Sequence, residues 1–219
     1  MCWSGGKDSA FALWRLQQNP EVEVVGLLTT LTEGYDRVSM QGVRRELLHA
    51  QAEALGLPVR EVWIPSACIN ATYEQRMGEA VERMIGDGVQ AVAFGDLYLE
   101  DVRAYREKML APTALRPLFP IWGEDTHRLP YEMLASGFRI TVCCIDPKAV
   151  PPEFAGRAYD ESLLAEMPKS ADPCGERGEF HTFVHDAPNF REAIPITVGE
   201  RVERDGFWFA DLLLDAPPL

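Results

Sequence analysis

The chain has 219 residues, enough to bury one sizeable core with room for a smaller second unit. Hydrophobic residues at 47% and charged residues at 25% are ordinary globular values and argue against disorder. Its 21 Lys and Arg against 34 Asp and Glu leave a formal charge of −13, a surface that repels a phosphate backbone, so nucleic acid is not expected as a partner.

No apolar run approaches the roughly 18 residues needed to span a bilayer, so no membrane association is expected. The five cysteines are Cys2, Cys68, Cys143, Cys144 and Cys174, and none forms a C-x-x-C pair. An odd count with no signal peptide fits reduced thiols and a cytoplasmic location, and argues against a zinc ribbon or a redox pair.

In chain order, Ser4-Gly5-Gly6-Lys7-Asp8-Ser9 precedes a helix whose apolar face carries Ala10, Leu13 and Trp14. Val22 to Leu28 reads as a strand buried on both faces. Val43, Leu47, Ala50 and Ala54 recur at helical spacing, and Gly56 and Pro58 mark that helix's end. Val59 to Ile64 is the next strand; Tyr73, Met77, Ala80, Val81, Met84 and Ile85 form a helical stripe; Ala91 to Phe94 is a short strand. The alternation predicts a parallel α/β sheet with helices on both faces and ligand-binding loops along one edge.

The rhythm weakens after Phe119-Pro120-Ile121-Trp122, which puts a domain boundary near Trp122: residues 1–122 for the first unit and 123–219 for a smaller α+β unit. Thr126 to Ser136 reads as a helix capped by Thr126, and Arg139 to Ile145 as a strand. Residues 146–180 read as loop with one short helix. Ala193 to Leu214 reads as two antiparallel strands turning at Asp205-Gly206.

The glycine-rich hexapeptide combines close backbone approach, outward-pointing amides at a helix start, two hydroxyls and a cation, which together make an anion site. A Walker A loop would need Gly at position 1 and Ser or Thr at position 8, where this chain has Met1 and Asp8. A carboxylate beside a triphosphate repels it unless Mg²⁺ lies between them, which makes Asp8 the candidate metal ligand. The bland alternative is an ordinary N-terminal turn with an Asp-Ser cap.

Ser4 to Ser9 resembles the PP-loop of the N-type ATP pyrophosphatases, the class of GMP synthetase, NAD synthetase, asparagine synthetase and tRNA thiolases. The resemblance implies a Rossmann-like five-stranded parallel sheet (adenine nucleotide alpha hydrolase-like). Ser4, Gly5, Gly6, Lys7 and Ser9 would hold the β- and γ-phosphates, with Thr29 and Thr30, just past the second strand, beside the adenosine. Those threonines equally suit plain strand-end capping. Only Met1-Cys2-Trp3 precede the loop, where family members carry a full first strand, so either that strand is short or the chain as given starts late.

Two further clusters carry chemistry. Gly95, Asp96, Glu100, Asp101 and Arg103 follow the fourth strand, and Arg103 and Arg106 fall one turn apart on a helix where both could face one anion. An acidic helix start stabilised by its dipole is the competing reading. Cys174-Gly175-Glu176-Arg177-Gly178-Glu179-Phe180-His181-Thr182 offers carboxylates and an imidazole for proton transfer or ammonium binding, against the alternative of a solvated acidic loop. Cys174 reads either as nucleophile or as small core filler.

Together with Pro117 to Trp122, these segments are similar to the diphthine–ammonia ligase (diphthamide synthase) family, and more closely to its bacterial-type branch. In that family ATP adenylates the carboxylate of diphthine, a modified histidine on a translocation factor, and ammonia displaces AMP to leave the amide. The resemblance implies an AMP-forming carboxylate–ammonia ligase that uses ATP and Mg²⁺ on a protein or small-molecule carboxylate. Lys7 would stabilise the leaving pyrophosphate; Asp96, Glu100 and Arg103 would frame the nucleotide; Glu176, Glu179 and His181 would receive acceptor or ammonia. Gln41 stands where relatives often have His, so no role is read into Ser39–Arg44. Two other readings are a PP-loop sulfur or amide transferase on another acceptor such as tRNA, and a sensor that binds ATP without cleaving it. A homodimer is compatible with the sequence.

Overall fold

The structure, a computed structural model, describes residues 1–39, 41–66 and 70–215; Cys68 lies outside the described residues. The first helix, α1 (Lys7–Gln17), starts after Gly6, whose extended backbone (φ −86°, ψ 169°) makes it the N-cap with no side chain of its own to cap the first turn. β1 (Leu27–Thr32) pairs in parallel with β3 (Val59–Ile64), while the two-residue β2 (Arg37–Val38) lies antiparallel on the other side of β1. α2 (Arg45–Leu55) ends at Gly56, whose left-handed φ of 66° suits the expected glycine stop. α3 (Asn70–Gly86) buries Ala80 and Met84 on its stripe. β4 (Ala91–Ala93) pairs in parallel with β5 (Arg116–Leu118), and α4 (Glu100–Leu110) makes the crossover between them.

The residues before the phosphate loop link the two parallel pairs. Trp3 N–H donates to Leu28 O at 2.7 Å, Leu28 N–H donates to Met1 O at 2.8 Å, and Cys2 N–H donates to Ala93 O at 2.8 Å. The strand expected at Val22–Leu28 is displaced to Leu27–Thr32, because the ladder to β3 begins only where Leu27 lies opposite Val59. Residues 22–26 run alternately half-buried and exposed outside the ladder. Thr29 and Thr30 therefore lie within β1 rather than just past it.

The second half comprises α5 (Leu129–Ala135), β6 (Arg139–Ile145), a 3₁₀ turn at Pro152–Phe154, α6 (Glu161–Glu166), β7 (Phe180–Asp186), β8 (Ile196–Arg204) and β9 (Phe207–Leu214). Its sheet has the order β7-β6-β9-β8 with antiparallel neighbours. α5 begins three residues later than expected. Asp125, not Thr126, anchors the preceding turn, its carboxylate accepting from His127 N–H at 2.9 Å and its carbonyl from Leu129 N–H at 2.9 Å. The hairpin between β8 and β9 turns at Asp205 and Gly206 with φ of 52° and 83°, the paired positive values of a type I′ turn.

One apolar core runs through both halves. Phe11, Leu13, Leu47 and Leu48 of α1 and α2 join Phe138, Val142 and Phe183 of the second half, with the Phe11 and Phe138 rings 5.5 Å apart. A second cluster, with Leu28, Val62, Ala80, Met84, Val92 and Leu110, fills the space between α3, α4 and the parallel strands.

Candidate active site

The phosphate loop lies against the edge strand β7. Val184 N–H donates to Gly5 O at 3.0 Å, and Lys7 N–H donates to the Thr182 hydroxyl at 3.1 Å. β7 would otherwise end the second sheet as an open edge, and the loop occupies it. Inside the loop, the Ser4 and Ser9 hydroxyls lie 3.1 Å apart, Ser4 Oγ accepts from Gly6 N–H at 3.2 Å, and Ser9 Oγ donates to Gly6 O at 2.9 Å.

Lys7 is buried at 2% exposure, with Nζ donating to both Asp8 carboxylate oxygens (2.8 and 3.0 Å) and to Cys174 O. Its ammonium lies 5.4 Å from the Phe180 ring centroid and 5.8 Å from that of Tyr159. Burial opposes its charge, but Asp8 and the surrounding anionic groups more than offset this, and its pKa is raised. Asp8 is half-buried, and burial raises its carboxyl against the pull of Lys7.

A cleft of about 370 Å³ opens above the loop, the size of a small-molecule site. Among the expected site residues, Ser4, Gly6, Lys7, Asp8, Ser9, Thr29, Thr30, Gly95, Asp96, Glu176 and His181 line it. Gly5 lies beneath it, packed on Gln51. Gly95 is where the strand edge meets the loop, since a Cβ there would be 2.8 Å from Asp8 C and Ser9 N. Tyr73, Met77, Phe94 and Arg106 complete one wall, and Val38, Ser39 and Gln41 another.

Besides Gly5, three expected residues do not line this cleft. Glu100 is exposed in the first turn of α4. Arg103 pairs with Glu107 at 2.8 Å and lies over the Phe119 and Trp122 rings, with centroids 4.8 and 4.7 Å away, so it does not share an anion with Arg106. Arg106 instead lies over the Phe94 ring at 4.9 Å, with Nε 3.5 Å from Asp96 Oδ2. Glu179 is buried at 6% exposure and staples its own loop, accepting from Asp172 N–H, Arg177 N–H and Arg177 Nε.

Glu176 is placed differently. Its Oε1 accepts from Leu97 N–H at 2.7 Å and from Tyr98 N–H at 3.4 Å, and the Tyr98 hydroxyl donates to Asp172 at 2.6 Å. The loop after β4 is thus tied to the loop before β7 at two points. Burial pushes the Glu176 carboxyl up to about 7, with Asp8 adding to the rise and the two amides opposing it. His181 is not in the loop but on β7, and burial, followed by the Lys7 charge, lowers it to about 4, so the imidazole is neutral near pH 7. Cys174 is buried, with its thiol held well above the usual range chiefly by burial, and it serves as filler rather than nucleophile.

The residues present fit an adenine nucleotide and its magnesium ion. The Thr29 hydroxyl is buried and makes no hydrogen bond among the described residues, and it belongs to the cleft wall. Among the described residues no group of three or more His, Cys, Asp or Glu forms a metal cage. Magnesium commonly takes one or two carboxylates plus substrate phosphates, and Asp8 and Asp96 on the cleft wall match that donor set. Sequence reasoning placed Thr182 in the loop after Cys174 without a role and passed over Gln51, whose side chain is buried against the loop. Gln51 sits beside the Val43, Leu47, Ala50 and Ala54 stripe rather than on it, so the sequence carries no signal for its role.

Residues 1–117 match the family model described as the diphthamide synthase N-terminal domain, and residues 125–214 the diphthamide synthase C-terminal domain. The chain is similar to proteins named diphthine–ammonia ligase. It is 26% identical over 219 residues to that of Schizosaccharomyces pombe, covering 91% of this chain and 36% of the relative. It is 28% identical over 221 residues to that of Danio rerio, covering 91% and 86%, and 24% identical over 228 residues to that of Homo sapiens, covering 94% and 85%. The chain thus spans about a third of the yeast relative's length and most of the vertebrate ones. Among the described residues no helix is long and apolar enough to cross a membrane.

Proposed function

Because the chain belongs to the diphthamide synthase family, we propose that it is an ATP-dependent carboxylate–ammonia ligase that releases AMP and pyrophosphate. The observation that carries the reading is the phosphate loop, whose only lysine is buried beside Asp8 at the floor of a cleft also faced by Glu176 and His181. The loop amides, the Ser4 and Ser9 hydroxyls and Lys7 hold the β- and γ-phosphates and stabilise the pyrophosphate as it leaves. Binding phosphate draws the Lys7 ammonium from its Asp8 partner. Asp8 and Asp96 would hold magnesium, which would neutralise phosphate charge. Adenosine lies toward Thr29, Thr30 and the Tyr73–Met77 face of α3.

An oxygen of the acceptor carboxylate attacks the α-phosphate, forming an acyl-adenylate and breaking the bond to pyrophosphate. Ammonia then attacks the acyl carbon, the bond to AMP breaks, and Glu176 takes the surplus proton. A carboxyl near 7 is suited to that transfer. The acceptor, which the relatives' name gives as diphthine, enters through a second cavity of about 850 Å³ beneath the β8–β9 hairpin. That cavity meets the nucleotide cleft at Val38 and His181. Glu100, Arg103 and Glu179 act as positioning residues at most, given where their side chains are bound.

We further propose that β3, β1, Met1–Trp3, β4 and β5 form one five-stranded parallel sheet. The hydrogen bonds of Met1–Trp3 to Leu28 and Ala93 support this. The division between the units falls at 122/123, supported by the gap between the two family matches. The function is tested with α-labelled ATP, Mg²⁺ and ammonium, with and without acceptor protein. AMP and pyrophosphate are expected from the wild-type protein and neither from Lys7→Ala. ADP as product, or normal pyrophosphate release by Lys7→Ala, overturns it.

A further inference from the structure

We infer that Gln51 positions the phosphate loop by locking the Gly5–Gly6 peptide plane, an inference that rests on the loop being the ATP site. Gln51 lies on the buried face of α2 among Leu47, Leu48, Ala52 and Leu55, and is 0% exposed. A buried amide is costly unless its groups are bonded. Here Oε1 accepts from Trp3 Nε1 at 2.9 Å, and Nε2 donates to Gly5 O at 2.9 Å and to Val184 O at 2.7 Å. One side chain therefore clamps the residue before the loop, the loop itself and the edge strand of the second sheet.

The consequence follows from peptide planarity. In a trans peptide the carbonyl of one residue and the amide of the next point in opposite directions. Gly5 O is held by two donors, Gln51 Nε2 and Val184 N, on the core side. The N–H of Gly6 must then point into the loop, where it reaches Ser4 Oγ at 3.2 Å. A flipped plane would aim the Gly5 carbonyl at the bound phosphates, where it repels them. Flipping is otherwise cheap in a Gly-Gly peptide. Gly5 also has to be glycine because Gln51 is there, since its φ is +79° and a Cβ would be 2.7 Å from Gln51 Oε1.

The test measures ATP and inorganic pyrophosphate affinities, with Mg²⁺, for the wild type, Gln51→Met, Gln51→Glu and Leu55→Ala. Leu55 is on the same helix and buried, but is not bonded to the loop. Gln51→Met is expected to weaken ATP by about ten- to a hundredfold, as KM rather than kcat, because the Nε2 hydrogen bonds to Gly5 O and Val184 O are both lost. Gln51→Glu is expected to be at least as weak, since it sets a carboxylate against two carbonyls. Leu55→Ala is expected to lower Tm without moving either affinity. The emission of Trp3, 3% exposed, is expected to shift in Gln51→Met before any ligand is added.

Folded Gln51→Met with ATP affinity within twofold of wild type overturns the proposal, as does an equal loss in Leu55→Ala. If Gln51→Met does not fold, Trp3→Phe frees only Gln51 Oε1 and is expected to weaken ATP severalfold; no change there overturns the proposal. Wild type that binds pyrophosphate but not ATP, with Gln51→Met losing it, overturns the ATP reading and keeps the positioning role.

Discussion

Replacing Gly95 by Ala adds a single methyl where the end of β4 meets the phosphate loop. The Cβ would lie 2.8 Å from Asp8 C and Ser9 N and 3.0 Å from Asp8 O, all backbone atoms that no side-chain rotation can clear. To move from 2.8 Å to the 3.4 Å of an ordinary contact, the loop must shift by about 0.6 Å. Gly95 does not have a positive φ, so the effect is steric and not backbone strain. Overpacking of this kind destabilises by about 1–3 kcal/mol, and a misplacement approaching 1 Å at reacting groups lowers rates by up to ~10²-fold. Gly78 supplies the control: nothing lies within 4 Å of its Cβ position in the interior of α3. There Ala should stabilise by about 1 kcal/mol, raising Tm by about 2–4 °C. Thermal melts and AMP-forming turnover for both variants give the comparison. Wild-type turnover and Tm in Gly95→Ala would refute the packing argument.

Glu176→Gln keeps an oxygen for the Leu97 and Tyr98 amides but cannot ionise, so the rise in rate with pH through about 7 should vanish and the rate fall by ~10²-fold or more. Because burial raises this carboxyl in the folded state, its stabilising contribution is full at low pH and is lost as pH rises from 4.5 through about 7. The variant should therefore melt higher than wild type at pH 8, by about 1–3 kcal/mol, and an unchanged pH–rate profile would refute the base role. Asp211→Ala removes the acceptor of four guanidinium hydrogen bonds from Arg37 and Arg44 and should destabilise by about 1–3 kcal/mol at pH 7. The Arg44 and Arg37 bonds hold the Asp211 carboxyl below its ordinary value, so that stability is present above pH 4 and lost as the pH falls further. The Tm gap to wild type should close in acid, and a gap that does not change with pH would contradict the pairing.

Much of the fold was legible because local chemistry and tertiary structure agree. β3, β6 and the β8–β9 turn fall where alternation and Asp-Gly place them, and Gly56 ends α2 as expected. What escaped is held by partners distant in sequence. β5 contains Pro117 and has three residues, and it exists because Arg116 N–H donates to Gln90 O and Phe94 N–H to Leu118 O. β7 follows a charged glycine-bearing loop and was absorbed into it, although Phe180, Phe183 and Val184 carry its buried positions. Arg103 and Glu179 belong to chemically suggestive clusters, yet aromatic rings and loop amides occupy them. Gln51 looks like a solvent-facing residue of an amphipathic helix until its three partners are known.

The division into two units describes sequence better than energetics. The phosphate loop covers the free edge of the second sheet, Thr182 accepts the Lys7 amide, Cys174 O accepts the Lys7 ammonium, and Glu176 holds the amides after Asp96. The apolar core is continuous across the same seam, through Phe11, Leu47, Phe138 and Phe183. Relative motion of the halves would have to break these bonds and expose that core together. The proposed nucleotide site is thus built across the seam, so the neutral His181 stays fixed beside Lys7 on the strand that braces the loop. On the proposed mechanism, an acyl-adenylate formed above the loop is consequently already next to Glu176 and His181, which line the same cleft.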